Sequence, residues 1–349
     1  MAFLCFKIFF LQILTLGIYY FWGKAAMRRK IWSAIHIEGQ RLEYSGTGKE
    51  LFFGFLRALV LFFIPGLFLI GLISLMLSSL IDVIVPGSEA ADMIPIAFIY
   101  LVLFYFFGLA QYTARRYLLS RTSWRGVRAA LVGVPFDYAW TYLWTLVMAV
   151  VTLGWALPWR SVKLTALMTN ATRFGDEPLK FAATARPLYF PFAVMWGGIL
   201  ALLLVLPLLG YLVSSPKYLT ETSEVVTNPW SFLTIVLPLF FMPAVFGVFV
   251  TYYYSRLVNY LASHTSLQQA RFSLTTTTRG LIWLYVSNFL LTLLTLGIAY
   301  PVAELRSARY YIQRTKLTGT VDFQQIARNN ARLSTTGEGL AEVYDELLF

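Results

Sequence analysis

Arginine recurs where the apolar runs of this sequence end, and guanidinium groups suit bidentate binding of phosphate or carboxylate. The eight positions are Arg28, Arg29, Arg115, Arg116, Arg160, Arg256, Arg306 and Arg309. Their repetition favours a binding site for an anion or a lipid headgroup. The simpler alternative is that they anchor helix ends and set membrane topology. Either interpretation predicts the bilayer, with its anionic lipids, as the partner, and neither indicates an oligomeric state.

Nothing in the sequence supports metal, nucleotide or catalytic chemistry. His36 and His264 lie alone in polar stretches, and Cys5 is the single cysteine, so no metal site is predicted. The segment 46–50, Gly-Thr-Gly-Lys-Glu, resembles a phosphate-binding loop but has Glu43 at the place of the first glycine and no Ser or Thr after its lysine. We therefore predict no catalytic residue and no cofactor, and an enzyme is the weakest hypothesis.

Composition predicts a polytopic membrane protein. Of 349 residues, 58% are hydrophobic and 13% charged, whereas soluble proteins carry about 25% charged residues. Several runs are long enough to cross a hydrocarbon core of about 30 Å. The net charge of +11 is concentrated between these runs, which indicates loops facing an anionic leaflet rather than nucleic acid. The first run lacks signal-peptide features, so we expect it to be retained.

The tripeptide Thr-Leu-Gly occurs three times, at residues 15–17, 152–154 and 295–297, each near the end of an apolar run. Glycine and proline interrupt helices, so each copy is a predicted break in its run. The predicted break points are Gly17, Gly154, Gly297, Pro158 and Pro301.

An internal duplication is predicted because one constant offset aligns Arg128 with Arg271 and Trp140 with Trp283. The same offset aligns the second Thr-Leu-Gly with the third, and the first copy joins the second at a slightly shorter offset. We predict one membrane domain over 1–349, with units of about 1–136, 137–279 and 280–349, the last incomplete.

Loop charge predicts the topology. Four runs are expected to cross the membrane: about 58–80, 94–109, 188–213 and 230–253. The loops 86–93 and 214–229 are poor in basic residues and should face out, whereas the basic stretches and the C-terminal tail should be cytoplasmic. The later two Thr-Leu-Gly runs have basic stretches on both sides, which favours re-entrant or in-plane hairpins. The alternative is seven full crossings, with three basic loops on the wrong side.

Short β-like pieces follow the basic helix ends, for example at 36–44 and 315–323. The pairs Glu38-Gly39 and Thr318-Gly319 suit tight turns, and their flanks alternate polar and apolar residues. The predicted fold is therefore an all-α polytopic membrane protein with internal repeats and small cytoplasmic β-hairpin-like pieces.

The string Thr-Leu-Gly-Ile-Tyr-Tyr-Phe-Trp-Gly-Lys at 15–24, with Arg28-Arg29 and the segment 39–48, resembles the YjgN-like family of bacterial inner-membrane proteins of unknown function. The segment 336–342 resembles that family's closing motif, so the resemblance covers nearly the whole chain. It implies a multi-pass protein of the bacterial inner membrane, and it implies a further element before the first run. The middle copy departs from the pattern, with Thr165 and Ala166 in place of the arginine pair, which weakens a strictly threefold site.

Two functions are consistent with these features. The first is binding or transport of a small solute, with an anion as one candidate, because internal repeats and interrupted apolar segments recur in transporters. The second is a structural or lipid-organising protein that binds anionic headgroups through its basic cytoplasmic face. The sequence names no substrate.

Overall fold

The computed structural model describes residues 2–37, 39–60, 64–87, 90–214, 231–322 and residue 326. Its described part holds eleven α-helices: α1 (Ala2–Leu14), α2 (Tyr20–Trp32), α3 (Gly48–Ala58), α4 (Ile64–Ile84), α5 (Ala90–Ser120), α6 (Pro135–Val151), α7 (Leu157–Asn170), α8 (Tyr189–Ser214), α9 (Ser231–Ser263), α10 (Thr278–Leu294) and α11 (Tyr300–Arg314). The strands are β1 (His36–Ile37), β2 (Gln40–Arg41), β3 (Glu43–Tyr44), β4 (Thr122–Trp124), β5 (Val127–Leu131), β6 (Thr172–Phe174), β7 (Glu177–Phe181), β8 (Thr265–Leu267), β9 (Ala270–Leu274) and β10 (Thr315–Thr318).

The prediction of an all-α fold with separate strand pairs is corrected by the sheet. Strands β3 to β10 form one eight-stranded antiparallel sheet in the order β10-β9-β8-β7-β6-β5-β4-β3. The predicted turn at Gly39 does lie between the paired strands β1 and β2. Gly319, by contrast, follows β10 with a φ of 120° and leads into no partner strand in the part of the chain that is described.

Every strand of the sheet lies beside its neighbour in sequence, although helices separate many of them. Helix pairs are inserted between β5 and β6, between β7 and β8, and between β9 and β10. Each inserted pair therefore leaves the sheet and returns to it. Helices α3, α4 and α5 lie between β3 and β4, and the remaining connections, β4–β5, β6–β7 and β8–β9, are tight hairpins. The one between β4 and β5 has Arg125 at φ 50° and Gly126 at φ 77°, the paired positive values that match the twist of two antiparallel strands.

Corresponding elements are separated by one constant distance along the chain. The offset that aligns Arg128 with Arg271 in the sequence also aligns the first residues of three pairs of elements. These pairs are β4 with β8 (Thr122 and Thr265), β5 with β9 (Val127 and Ala270), and α6 with α10 (Pro135 and Thr278). Both sets run in the same order: hairpin, helix, Thr-Leu-Gly, helix, strand. The predicted offset in sequence is therefore also an offset between secondary-structure elements.

The core lies between the sheet and the helices. Leu131 of β5 packs with Tyr112, Tyr138 and Leu164 from α5, α6 and α7. Phe181 of β7 packs with Val162 and Leu188. A third cluster, Trp124 with Val127 and Ile326, covers the same face of the sheet near the β4–β5 turn. The helices thus pack against one face of the sheet.

Candidate functional site

The three Thr-Leu-Gly turns share one hydrogen-bonding pattern. Each threonine hydroxyl donates to the carbonyl four residues earlier, and each accepts from the backbone N–H four residues later. In the middle turn, Thr152 Oγ1 donates to Met148 O at 2.7 Å and accepts from Ala156 N at 2.9 Å. Thr15 and Thr295 make the equivalent pairs of bonds. One side chain therefore caps the end of one helix and the start of the next.

The two residues after each threonine have positive φ. Leu16, Leu153 and Leu296 lie at 49–50°, and the following glycines at 90–92°. The glycine N–H then reaches the carbonyl five residues earlier, at 2.7 Å for Gly154 to Ala149. Left-handed backbone is uncommon for leucine, so the turn is held by these bonds and not by local preference. Pro158 and Pro301 lie in the first turn of α7 and α11, where proline starts a helix instead of breaking it.

These turns form the tips of three helix hairpins, α1–α2, α6–α7 and α10–α11, and the tips are apolar. The tip leucines Leu16, Leu153 and Leu296 are 95%, 74% and 85% exposed. Val151 and Leu294, just before two of the tips, are exposed as well. A contiguous exposed apolar tip indicates contact with lipid or protein.

The hairpins are held by different neighbours. The first and third pack together, and Lys24 Nζ of α2 lies 2.7 Å from Glu304 Oε1 of α11. The middle tip packs on α8, where Trp196 Nε1 donates to Leu153 O at 3.1 Å. The third hairpin is antiparallel, since Asn288 of α10 donates to Ala303 O of α11 at 3.2 Å.

The structure distributes the eight predicted arginines over several places. Arg28 Nη1 lies 3.4 Å from the Tyr44 hydroxyl, to which it donates. Arg306 Nη2 donates to Ser287 Oγ at 3.0 Å. Arg256 lies over the ring of Tyr252, with Cζ 5.7 Å from the centroid. The exposed members are Arg29, Arg115, Arg256, Arg306 and Arg309, and the half-buried ones are Arg28, Arg116 and Arg160.

Two of these arginines, on different elements, lie within electrostatic range of the same tyrosine. Arg115 of α5 and Arg160 of α7 both act electrostatically on Tyr138 of α6. Arg160 lies over the ring of Tyr142, with Cζ 4.4 Å from the centroid. Tyr138 Oη donates to Gln111 Oε1 at 3.4 Å. This cluster is a candidate anion site between α5, α6 and α7, and its two cations are far apart in sequence.

The sheet has a basic face that sequence analysis missed. The register places Lys180 opposite Ser266, and Ser266 opposite Arg271. Extending the pairing across the strands places on one face a set of exposed cations: Arg128, Arg173, Lys180, Arg271 and Lys316. Glu43 is the one acidic strand residue on this face within the described sheet. The helices pack on the opposite face, so the basic face points away from them. Each of these five strands carries one basic residue, so strand order and register were needed to show that the five share a face.

The segment that resembled a phosphate loop is a helix start. Thr47 Oγ1 accepts from Glu50 N at 3.3 Å and caps α3. A Cβ at Gly48 would lie 2.7 Å from Trp22 Cα, so close packing excludes a side chain there. In the described part of the chain, no group of three or more His, Cys, Asp or Glu residues has metal-binding geometry.

Comparison with known proteins adds a family. A model of bacterial proteins of unknown function (DUF898) matches residues 5–343. The chain belongs to this family. The inner membrane protein YjgN of Salmonella typhimurium (strain LT2) is 22% identical to it over 387 residues, which cover 95% of this chain and 89% of that protein. No solved structure matches. The resemblance to the YjgN-like family is thus confirmed for this DUF898 protein.

This DUF898 protein has three helical segments that are long and apolar enough to cross a membrane within its described residues: Ile64–Ile84, Met93–Ser120 and Arg186–Val205. They correspond to three of the four predicted crossings. The fourth falls on α9, where the side chains of residues 231–244 lie outside the described part. Residues 215–229 of the predicted outer loop 214–229 and nearly all of the tail from 323 lie outside it as well. Within the described residues, the candidate span of the predicted second run is Ile64–Ile84, and residues 61–63 lie outside them.

Proposed function

We propose that this chain is a multi-pass inner-membrane protein that binds anionic lipid headgroups through the basic ends of its helices. In this arrangement the three Thr-Leu-Gly hairpins enter the membrane from the cytoplasmic side and return. Helices α4, α5, α8 and α9 cross it, and the sheet lies at the cytoplasmic surface.

The observation that carries this proposal is the separation of apolar and basic residues along the first and third hairpins. The tips end in exposed leucines, whereas Arg29 and Arg309 lie exposed toward the sheet end of α2 and α11. Lipid tails accept apolar tips, and anionic headgroups accept arginines at the depth where the hydrocarbon ends. If the tips lay in water, the leucine side chains of all three turns would be exposed to it, which is unfavourable for apolar groups.

The sheet supports the topology. Both ends of the α6–α7 hairpin join neighbouring strands, so this hairpin leaves and returns on one side. The same holds for α10–α11. A single crossing by either Thr-Leu-Gly run does not fit this connection, which argues against the alternative of seven crossings. The five cations on the outer sheet face agree with a cytoplasmic location.

An internal duplication explains why the architecture recurs. Matching elements begin at one constant offset, and the threonine caps are the same in all three turns. Duplication would copy a unit whose helix pair already begins and ends at neighbouring strands of the sheet. Each added unit would then extend the sheet.

Cysteine labelling tests the topology. In a Cys5→Ser background we expect Lys180→Cys to react with a membrane-impermeant maleimide only in inverted vesicles, and Val85→Cys only in intact cells. Leu153→Cys should react poorly from both sides, because thiols in hydrocarbon stay protonated and unreactive. Labelling of Lys180→Cys from outside, or strong labelling of Leu153→Cys from outside, would exclude the proposed arrangement.

Lipid analysis tests the binding. The variant with Arg29, Arg256, Arg306 and Arg309 changed to Gln should copurify with at least twofold less phosphatidylglycerol relative to phosphatidylethanolamine. A matched control removes four charges from the sheet face, at Arg128, Arg173, Lys180 and Arg271, and should keep the ratio. Equal ratios in both variants and the unaltered protein would refute headgroup binding by helix ends.

A second candidate function is binding or movement of a small anionic solute. It is favoured by the position of Arg160 inside a hairpin instead of at its base. Flux of radiolabelled phosphate into reconstituted vesicles is the direct assay, with protein-free vesicles as control. Absence of flux would leave binding alone as the role of this cluster.

A further inference from the structure

The guanidinium of Arg160 has one edge without a hydrogen-bond partner. Its Nε and Nη2 atoms are buried, and neither has a partner among the described residues. These two nitrogens form the side edge of the guanidinium, whose N–H groups point parallel to one another. This edge is the fork that binds two oxygens of one carboxylate or phosphate. A buried, charged donor without an acceptor is costly, so the edge calls for an acceptor.

The guanidinium lies deeper toward the sheet than its own backbone. Tyr142, over which it lies, is nine residues and about 14 Å before the end of α6, whereas Arg160 is three residues and about 5 Å after the start of α7. The side chain therefore reaches from near the tip back toward the sheet. It ends over Tyr142, whose ring centroid lies 6.4 Å from that of Tyr138. Arg115 acts electrostatically on the same Tyr138.

The cluster contains two cations and no ion pair. Ion pairs do occur elsewhere in the described part of the chain, for example Lys24 with Glu304 and Arg121 with Glu50, and these involve neither arginine of the cluster. Two guanidinium groups near one tyrosine repel each other unless an anion lies between them. The ring of Tyr142 holds one face of Arg160 and leaves its edge free for an in-plane ligand.

From this geometry we infer that Arg160 and Arg115 form a discrete site for a phosphate-type anion, with the Nε and Nη2 edge of Arg160 making the bidentate contact. A lipid phosphate and free inorganic phosphate offer the same oxygens to this edge. The site deepens the proposed function, on which it rests, by naming its anion and its contact. It does not use Arg29, Arg256, Arg306 or Arg309, so it can stand if those four arginines do not enrich a headgroup.

The test measures phosphate binding by calorimetry on the full-length protein in phosphatidylcholine nanodiscs and in phosphatidylglycerol nanodiscs. Arg160→Lys keeps the charge but loses the fork, and we expect the apparent Kd for the bound anion to rise about tenfold or more. Arg115→Gln should also weaken binding. Arg314→Lys is the matched control, because Arg314 also lies over a tyrosine, at 3.7 Å, but donates to Tyr310 O.

The two nanodiscs separate the sources of the anion. Phosphate binding in phosphatidylcholine that is lost in phosphatidylglycerol assigns the site to a headgroup, and equal binding in both assigns it to a soluble anion. Phosphatidylglycerol that copurifies with the unaltered protein but not with Arg160→Lys also supports a headgroup. The inference is overturned if the unaltered protein binds neither anion, or if folded Arg160→Lys binds as the unaltered protein does. The variant with Arg29, Arg256, Arg306 and Arg309 changed to Gln should keep phosphate binding.

Discussion

The threonine of each Thr-Leu-Gly turn should be the residue on which its hairpin depends, and valine tests this with almost no change of shape. In Thr152→Val the carbonyl of Met148 keeps its backbone bond from residue 152, at 3.0 Å. The N–H of Ala156 loses its acceptor, which lies at 2.9 Å in the unaltered protein. One unpaired N–H in an apolar setting costs about 1–3 kcal/mol. We therefore expect a loss of about 2 kcal/mol, or roughly a thirtyfold change in the folding equilibrium.

Equilibrium unfolding in mixed micelles with increasing dodecyl sulfate measures this loss. Thr152→Ser is the control, because serine keeps the hydroxyl and should stay within about 0.5 kcal/mol of the unaltered protein. Thr15→Val and Thr295→Val should behave alike, since Tyr19 N and Ala299 N depend on the same contact. Valine variants as stable as the unaltered protein, or a serine variant as destabilised as the valine variant, would show that the hairpin does not depend on this hydroxyl.

Three further sets of substitutions test the space beside a turn glycine, an ion pair between two hairpins, and a side-chain amide that bonds to the backbone. Gly154→Ala should lower the free energy of unfolding more than Gly17→Ala in the same assay, because both glycines have φ near 90° but, of the two, only Gly154 would place a Cβ against a side chain, 3.2 Å from Trp196. Equal losses in the two variants would exclude a packing contribution at Gly154. Lys24→Glu should cost about 1 kcal/mol and be recovered by adding Glu304→Lys, a small effect because the pair is partly exposed; no recovery in the double variant would show that the pair is not coupled. Asn259→Ala should cost about 2–3 kcal/mol in thermal unfolding, because its amide makes three bonds to Thr276, at 2.8, 2.9 and 2.8 Å; an unchanged melting temperature would contradict this.

Local features of this protein can be read from its amino-acid sequence. Thr-Leu-Gly marks each turn because the threonine hydroxyl bonds span four residues in either direction, and the glycine accepts a positive φ that other residues rarely adopt. The apolar runs predict three of the helices now seen as candidate spans, since length and composition suffice for that. The offset that aligns Arg128 with Arg271 in the sequence also aligns the starts of β5 and β9.

How distant segments meet depends on the tertiary structure. The strands β4 to β10 are three to five residues long, and nothing within them specifies a partner across an inserted helix pair. Their pairing joins separate β-like pieces into one sheet and brings Arg128, Arg173 and Arg271 to one face, because residues of like parity share a face once register is set. The fork of Arg160 is likewise invisible in sequence: whether a guanidinium edge finds an acceptor depends on which side chains three separate helices place around it.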